Sequence, residues 1–158
     1  MAVLNDAKAY FREQLSRYLP EPKGVSSPDV VDLERKLNVS LPAGYREYLE
    51  WMGEDYDGVF RGSDCFFHDA VANTSYVINE LLPENGIDAG SHQPIVFFLH
   101  QGYVAIWFDR TAAGDDPECW LFSETDNQIK SIGAFSTSRR GATSGNRDRH
   151  DSDVGDAT

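Results

Sequence analysis

The sequence predicts an α+β fold in which N-terminal helices pack on a mainly antiparallel, twisted sheet of about four to six strands. Three observations predict it. Apolar residues recur at helical spacing in the first third of the chain, under clear helix start and stop signals. Three continuously apolar runs between Ile95 and Phe122 are then joined by short connections, which implies antiparallel neighbours with cover on both faces. Finally, all 19 aromatic residues of the 158-residue chain lie between Tyr10 and Phe135. One domain over 1–135 is therefore expected. Residues 136–158 read as a disordered polar tail, since Val154 is their only larger aliphatic residue. Such a segment cannot bury enough apolar surface to offset its ordering entropy.

The first helix is expected from Asp6 to Leu19, with Ala7, Phe11, Leu15 and Leu19 recurring every four residues and Asn5 as cap. Pro20 to Gly24 ends it. The second helix starts at Ser27 as cap, with Pro28 at the first helical position and Asp29 in the first turn. Val30, Leu33 and Leu37 form its apolar stripe, and Asn38-Val39-Ser40 breaks it. Leu41-Pro42 opens the third helix. On a wheel of 100° per residue, Tyr45, Tyr48, Leu49 and Met52 fall within about 50° of a common centre and face the core. Glu47, Glu50 and Glu54 fall opposite, Trp51 sits on the boundary, and Gly53 is expected as a left-handed cap.

Gly58 to Arg61 and Cys65 to His68 read as short strands around Gly62-Ser63-Asp64. Asp69 then caps a helix reaching Leu82, with Val71, Ile78, Leu81 and Leu82 as its apolar residues, and Pro83 to His92 is a loop. Strands follow at Ile95 to Leu99, Tyr103 to Phe108 and Cys119 to Phe122. His100-Gln101-Gly102 suits a bulged hairpin. Ile129 to Ile132 is a short edge strand.

Charge narrows the function. The chain carries 14 Lys plus Arg against 26 Asp plus Glu, a net −12. That weighs against direct nucleic-acid binding, where Lys and Arg neutralise phosphates, and against docking on an anionic membrane surface. No apolar run approaches the roughly 18 residues of a membrane span, and the start lacks the basic and apolar regions of a secretory signal. A cytoplasmic protein is expected. Cys65 and Cys119 fit a reducing compartment as buried small hydrophobes. The tail's four Arg balance its four Asp, so the whole −12 sits on residues 1–135, as 10 basic against 22 acidic residues.

Catalytic patterns are missing from this composition. There is no phosphate-cradling glycine loop, nucleophile elbow or paired-His zinc motif. Cys65, His68 and Asp69 would be the only nucleophile-and-base grouping, but on a strand Cys65 and His68 point to opposite faces. Neither Asp55-x-Asp57-Gly58 nor Asp115-Asp116-x-Glu118 matches the spacing of a calcium-wrapping loop. No enzyme activity, cofactor or metal is expected. The acids themselves remain. Glu47, Glu50, Glu54, Asp55, Asp57 and Asp64 form one group, in a passage that also holds Asp69, and Asp115, Asp116 and Glu118 a second, together with Asp109 in the sequence. With Trp51 on the rim of the first, they are the candidate partner-binding residues, complementary to a basic protein.

The order of these pieces resembles the SUKH superfamily of fungal cell-wall assembly regulators and bacterial immunity proteins. The resemblance is carried by Val31-Asp32-Leu33-Glu34, by Leu37 to Pro42, and by Tyr45-Arg46-Glu47-Tyr48-Leu49 with Met52-Gly53. Pro94 to Phe98, Gly102-Tyr103-Val104 and Trp107-Phe108-Asp109 are similar to the family's hairpin ending in an acidic residue. Only Gly102 remains of the usual glycine pair in that turn. The amphipathic helix that usually closes the fold is lost or very short after Ser131-Ile132-Gly133-Ala134-Phe135. The resemblance implies a small domain without catalytic residues, most often one that binds and neutralises a toxin, frequently a nuclease, as a monomer or weak dimer. It also leaves an intracellular regulatory or scaffold domain, binding endogenous proteins, as the alternative.

Overall fold

The computed structural model describes residues 2–55 and 58–137. Helices lead and a sheet follows: α1 (Asn5–Tyr10) running into a wide turn at Phe11–Leu15, α2 (Ser27–Leu37), α3 (Ala43–Met52) and α4 (Ala70–Tyr76). α4 continues through a second wide turn, Val77–Leu81, into α5 (Leu82–Glu84). The strands are β1 (Pro94–His100), β2 (Val104–Asp109), β3 (Glu118–Ser123) and β4 (Gln128–Ala134). They form one sheet in the order β1-β2-β3-β4, and every neighbouring pair is antiparallel. The fold is α+β, as the periodicities predict.

The continuously apolar strands are covered on both faces. Ile95, Phe97, Ile106, Phe108 and Cys119 join the core beneath α2 and α3, with Leu33, Tyr45, Tyr48 and Leu49. Val96, Ala105, Trp107 and Phe122 join a second core, with Val77, Leu81 and Leu82 from the α4–α5 segment. Both cysteines are buried.

α2 buries Val30, Leu33 and Leu37 as expected. Its cap is Ser26 rather than Ser27: the Ser26 hydroxyl accepts from Asp29 N–H, and the Asp29 carboxylate accepts in return from Ser26 N–H. Asn38 closes it at φ 53°, and Arg110 Nη1 donates to the Leu37 and Asn38 carbonyls, tying its end to the sheet. The expected core face of α3 is fully buried. Gly53 is not a left-handed cap, since its φ is −63°. It continues the helical direction, and its carbonyl accepts from Phe67 N–H.

Other expectations give way to packing. α1 has Leu4 rather than Asn5 as N-cap, without a side-chain cap of its own, and its regular turns end at Leu15 rather than Leu19. Residues 58–61 and 65–68 are turns, not strands. They are used as packing pieces: Phe60 meets Phe98 edge-on at 6.2 Å, and Asp64 alone forms a bridge to Leu99 of β1. Asp69 ends a tight turn, Phe67–Asp69, rather than capping α4 with its side chain. Val71 and Ile78 are exposed, while Ala70, Asn73, Thr74 and Val77 take the inner face. Helical geometry also persists to Glu84, into the expected loop.

Phe135 closes the main core, ringed by Tyr45, Tyr48 and Phe97 at 4.9–6.4 Å. Residues 135–137 start a helical turn. The tail expected over 136–158 therefore falls, apart from Ser136 and Thr137, outside the described residues.

Candidate functional site

α3 organises the candidate acids, because its inner face is committed to the core and its two ends meet different loops. At its N-terminal end, Gly44 N–H donates to the Asp115 carbonyl at 2.8 Å. Asp115 is exposed. Asp116 accepts from Ser136 N–H and Oγ at 2.8 and 2.7 Å, which caps the turn at 135–137. Glu118 accepts from Ser131 Oγ at 2.6 Å across the β3–β4 pair.

In the middle of α3, Glu47 is not a free surface acid. Its Oε2 accepts from Val3 N–H at 2.7 Å and Leu4 N–H at 3.2 Å, and its Oε1 from Lys8 Nζ at 2.9 Å. It anchors the two residues that lead into α1, and places a negative charge at the helix's N-terminal end. Burial pushes its carboxyl upward, but the Lys8 ammonium and the two backbone donors outweigh that and hold it below the usual carboxylate range.

At the C-terminal end lie Glu50, Trp51 and Glu54. Glu50 is exposed and accepts from Ser27 Oγ at 2.8 Å. Glu54 stands 3.5 Å from His68 Nε2. Trp51 is half-buried, edge-on to Phe11 at 6.1 Å, with Lys8 Nζ 5.8 Å from its ring centre. A strap at 23–25 binds this end from outside: Val25 N–H donates to Leu49 O, and Glu54 N–H to Lys23 O. Asp55 is only 5% exposed, folded under Gly58. Asp64 is exposed, on the far side of the 58–64 turns. Asp57 lies outside the described residues.

The structure thus brings Glu50, Trp51 and Glu54 together and separates them from Asp115, Asp116 and Glu118 by the length of α3, about 15 Å at 1.5 Å per residue. Among the described residues, none of these five acids has a Lys or Arg partner. Five of the cations pair with other acids: Lys8 with Glu47, Arg35 and Lys36 with Asp32, Arg46 with Glu34 and Lys130 with Asp126.

Two features escaped the sequence. An open groove, walled by Leu4, Ala7, Phe11 and Leu15 on one side and Tyr48, Trp51 and Met52 on the other, lies beside the acidic end of α3. Its α1 wall was legible as an apolar stripe, but not the space left beside it. Glu80, Glu84 and Glu124 form a second acidic group around Tyr76 on the opposite face of the sheet. The Tyr76 hydroxyl is pushed upward by burial and then by these three charges. No spacing rule links Glu124 to the other two, because the β3–β4 hairpin brings it there. Among the described residues, no group of three or more His, Cys, Asp or Glu could hold a metal ion, and no helix is long and apolar enough to cross a membrane.

One further arrangement joins α2 to α3. The Glu34 carboxylate accepts from Leu41 N–H at 2.7 Å and pairs with Arg46, so the acidic position of the α2 ladder locks the Leu-Pro start of α3. The model of the SMI1 / KNR4 family (SUKH-1) matches residues 24–143. The chain belongs to this family. The match spans α2 to β4 and continues past Phe135, while α1 precedes it. SUKH-1 proteins are generally immunity or regulatory proteins without enzymatic activity, acting through protein partners. No curated protein matches the chain.

Proposed function

We propose that this SUKH-1 domain is an immunity protein that binds and neutralises a cognate polymorphic toxin, a nuclease, through its acidic surface. The observation that carries the reading is the pair Glu50 and Glu54, uncompensated by Lys or Arg among the described residues and flanking the half-buried Trp51. A nuclease presents cations where it grips phosphates. An acidic patch with a fixed aromatic residue can cover such a cleft and find it quickly. The domain does this as a monomer or weak dimer in the cytoplasm, without cofactor or catalysis.

Co-expression with the neighbouring reading frame tests it. The expected result is a viable culture and a complex that co-purifies through size exclusion. Undiminished toxicity with no complex overturns the reading.

A further inference from the structure

The groove beside Trp51 is a better-defined feature than the acids around it. Among the described residues, every side chain that lines it is apolar or aromatic. Its far wall is completed by Val59 and Phe60, and Phe60 is fixed in turn against Phe98. Tyr10 stands at its mouth, 39% exposed. Protein interiors close such spaces, because apolar surface left to water costs about 25 cal/mol per Å². Here the walls are held apart. α1 is pinned by the Glu47 carboxylate and by the buried Leu4 and Phe11. The opposite wall is part of the main core.

Charge says what kind of side chain fits. Lys8, the cation over the Trp51 ring, is neutralised by Glu47. Glu50 and Glu54, on the α3 side, hold only a hydroxyl and an imidazole. Arg61, exposed next to Phe60, belongs to the other wall. A basic segment therefore lies along the α3 side.

We infer that this groove is the specificity pocket of the domain, taking one bulky aliphatic or aromatic side chain from a basic protein partner, with a flanking Lys or Arg meeting Glu50 and Glu54. The inference rests on the proposed binding of a basic toxin and names the place where it docks. Trp51 is already oriented by Phe11 and Lys8, so little side-chain entropy is lost on binding. Half of the pocket comes from α1, which precedes the family-matched residues.

Two groove-filling variants, Ala7→Phe and Val59→Phe, act from opposite walls and leave every charge in place. The probe is the catalytically inactivated product of the neighbouring reading frame, measured by surface plasmon resonance against the full chain, with circular dichroism and thermal unfolding to select folded variants. Each folded variant is expected to bind about tenfold or more weakly, through faster dissociation that is insensitive to salt. Binding within twofold of wild type by either folded variant overturns the pocket and leaves the immunity reading standing. If wild type itself forms no complex, the immunity reading falls and the pocket assignment falls with it.

Discussion

Glu47 holds three donors at once, and two of them are the backbone N–H groups of Val3 and Leu4, which lead into a helix without its own capping side chain. Glu47→Gln keeps the size but weakens both the anchor on Val3 and Leu4 and the Lys8 pair. Urea unfolding at neutral pH is expected to show a loss of about 1–2 kcal/mol. The sign with pH follows from the lowered folded-state pKa. The carboxylate stabilises the fold above its unfolded value, and that contribution is lost as pH falls through the folded value. The variant should therefore lack this part of the acid limb, and a wild-type pH profile in Glu47→Gln would contradict the anchor. Asp69 has the opposite sign. Burial raises its pKa, the Phe66 N–H opposes, and Asp64 adds to the rise. Wild-type stability should thus fall as pH rises from the ordinary carboxylate value through the raised one. Asp69→Asn keeps an acceptor for Phe66 N–H and is expected to be at least as stable as wild type at neutral pH. A loss matching Glu47→Gln would contradict it. At this scale the sequence placed Glu47 correctly, outside the α3 core face. It could not show that the surface there is occupied, since the three donors are about 40 residues away in the chain.

At the scale of elements, the strap over the end of α3 is the most constrained contact. A Cβ on Gly24 would stand 1.7 Å from the Glu50 carbonyl oxygen, 2.3 Å from its carbon and 2.9 Å from Trp51 N. All three are backbone atoms and cannot move aside cheaply. Gly24→Ala should cost about 2–3 kcal/mol or more and free the Val25–Leu49 and Lys23–Glu54 hydrogen bonds. Thermal unfolding and hydrogen exchange of the last turn of α3 check this, and a change below 1 kcal/mol would show that the strap yields. α2, α3 and the first three strands were legible because each carries its own signal: a cap with proline, a clean apolar face, or an unbroken apolar run. The α4 face was not. Its inner side includes Asn73 and Thr74, which bind the Asp64 carbonyl and the Val96 N–H. Polar residues turned inward to satisfy backbone groups defeat a hydrophobicity pattern, so Val71 and Ile78 looked like core. The 58–68 stretch was misread for a related reason. Its aromatic residues serve contacts with β1 and α3 rather than a local strand ladder, and Gly62 turns the chain at φ 86°.

For the whole molecule, the question is whether a partner feels the net −12 or a particular face. The −12 lies entirely on residues 1–135, and the structure divides the acids between opposite sides. Glu50 and Glu54 belong to the α3 side, and Glu80, Glu84 and Glu124 to the side of α4 and α5. Two double reversals separate the alternatives, because each changes the net charge by the same amount. Glu50→Lys with Glu54→Lys is expected to slow association with the toxin by about tenfold at low ionic strength, with the rates converging as salt shortens the Debye length toward about 3 Å near 1 M. Glu80→Lys with Glu124→Lys changes the global charge equally but lies across the sheet, so it should slow association far less. Stopped-flow rates over a salt series read both. Equal slowing by the two pairs would mean that only net charge steers the encounter. No slowing by the α3 pair would move the interface elsewhere. Retardation confined to Glu50 and Glu54 would place the encounter at the end of α3 and beside the groove. There the field draws in a basic segment, and the apolar walls decide which side chain stays.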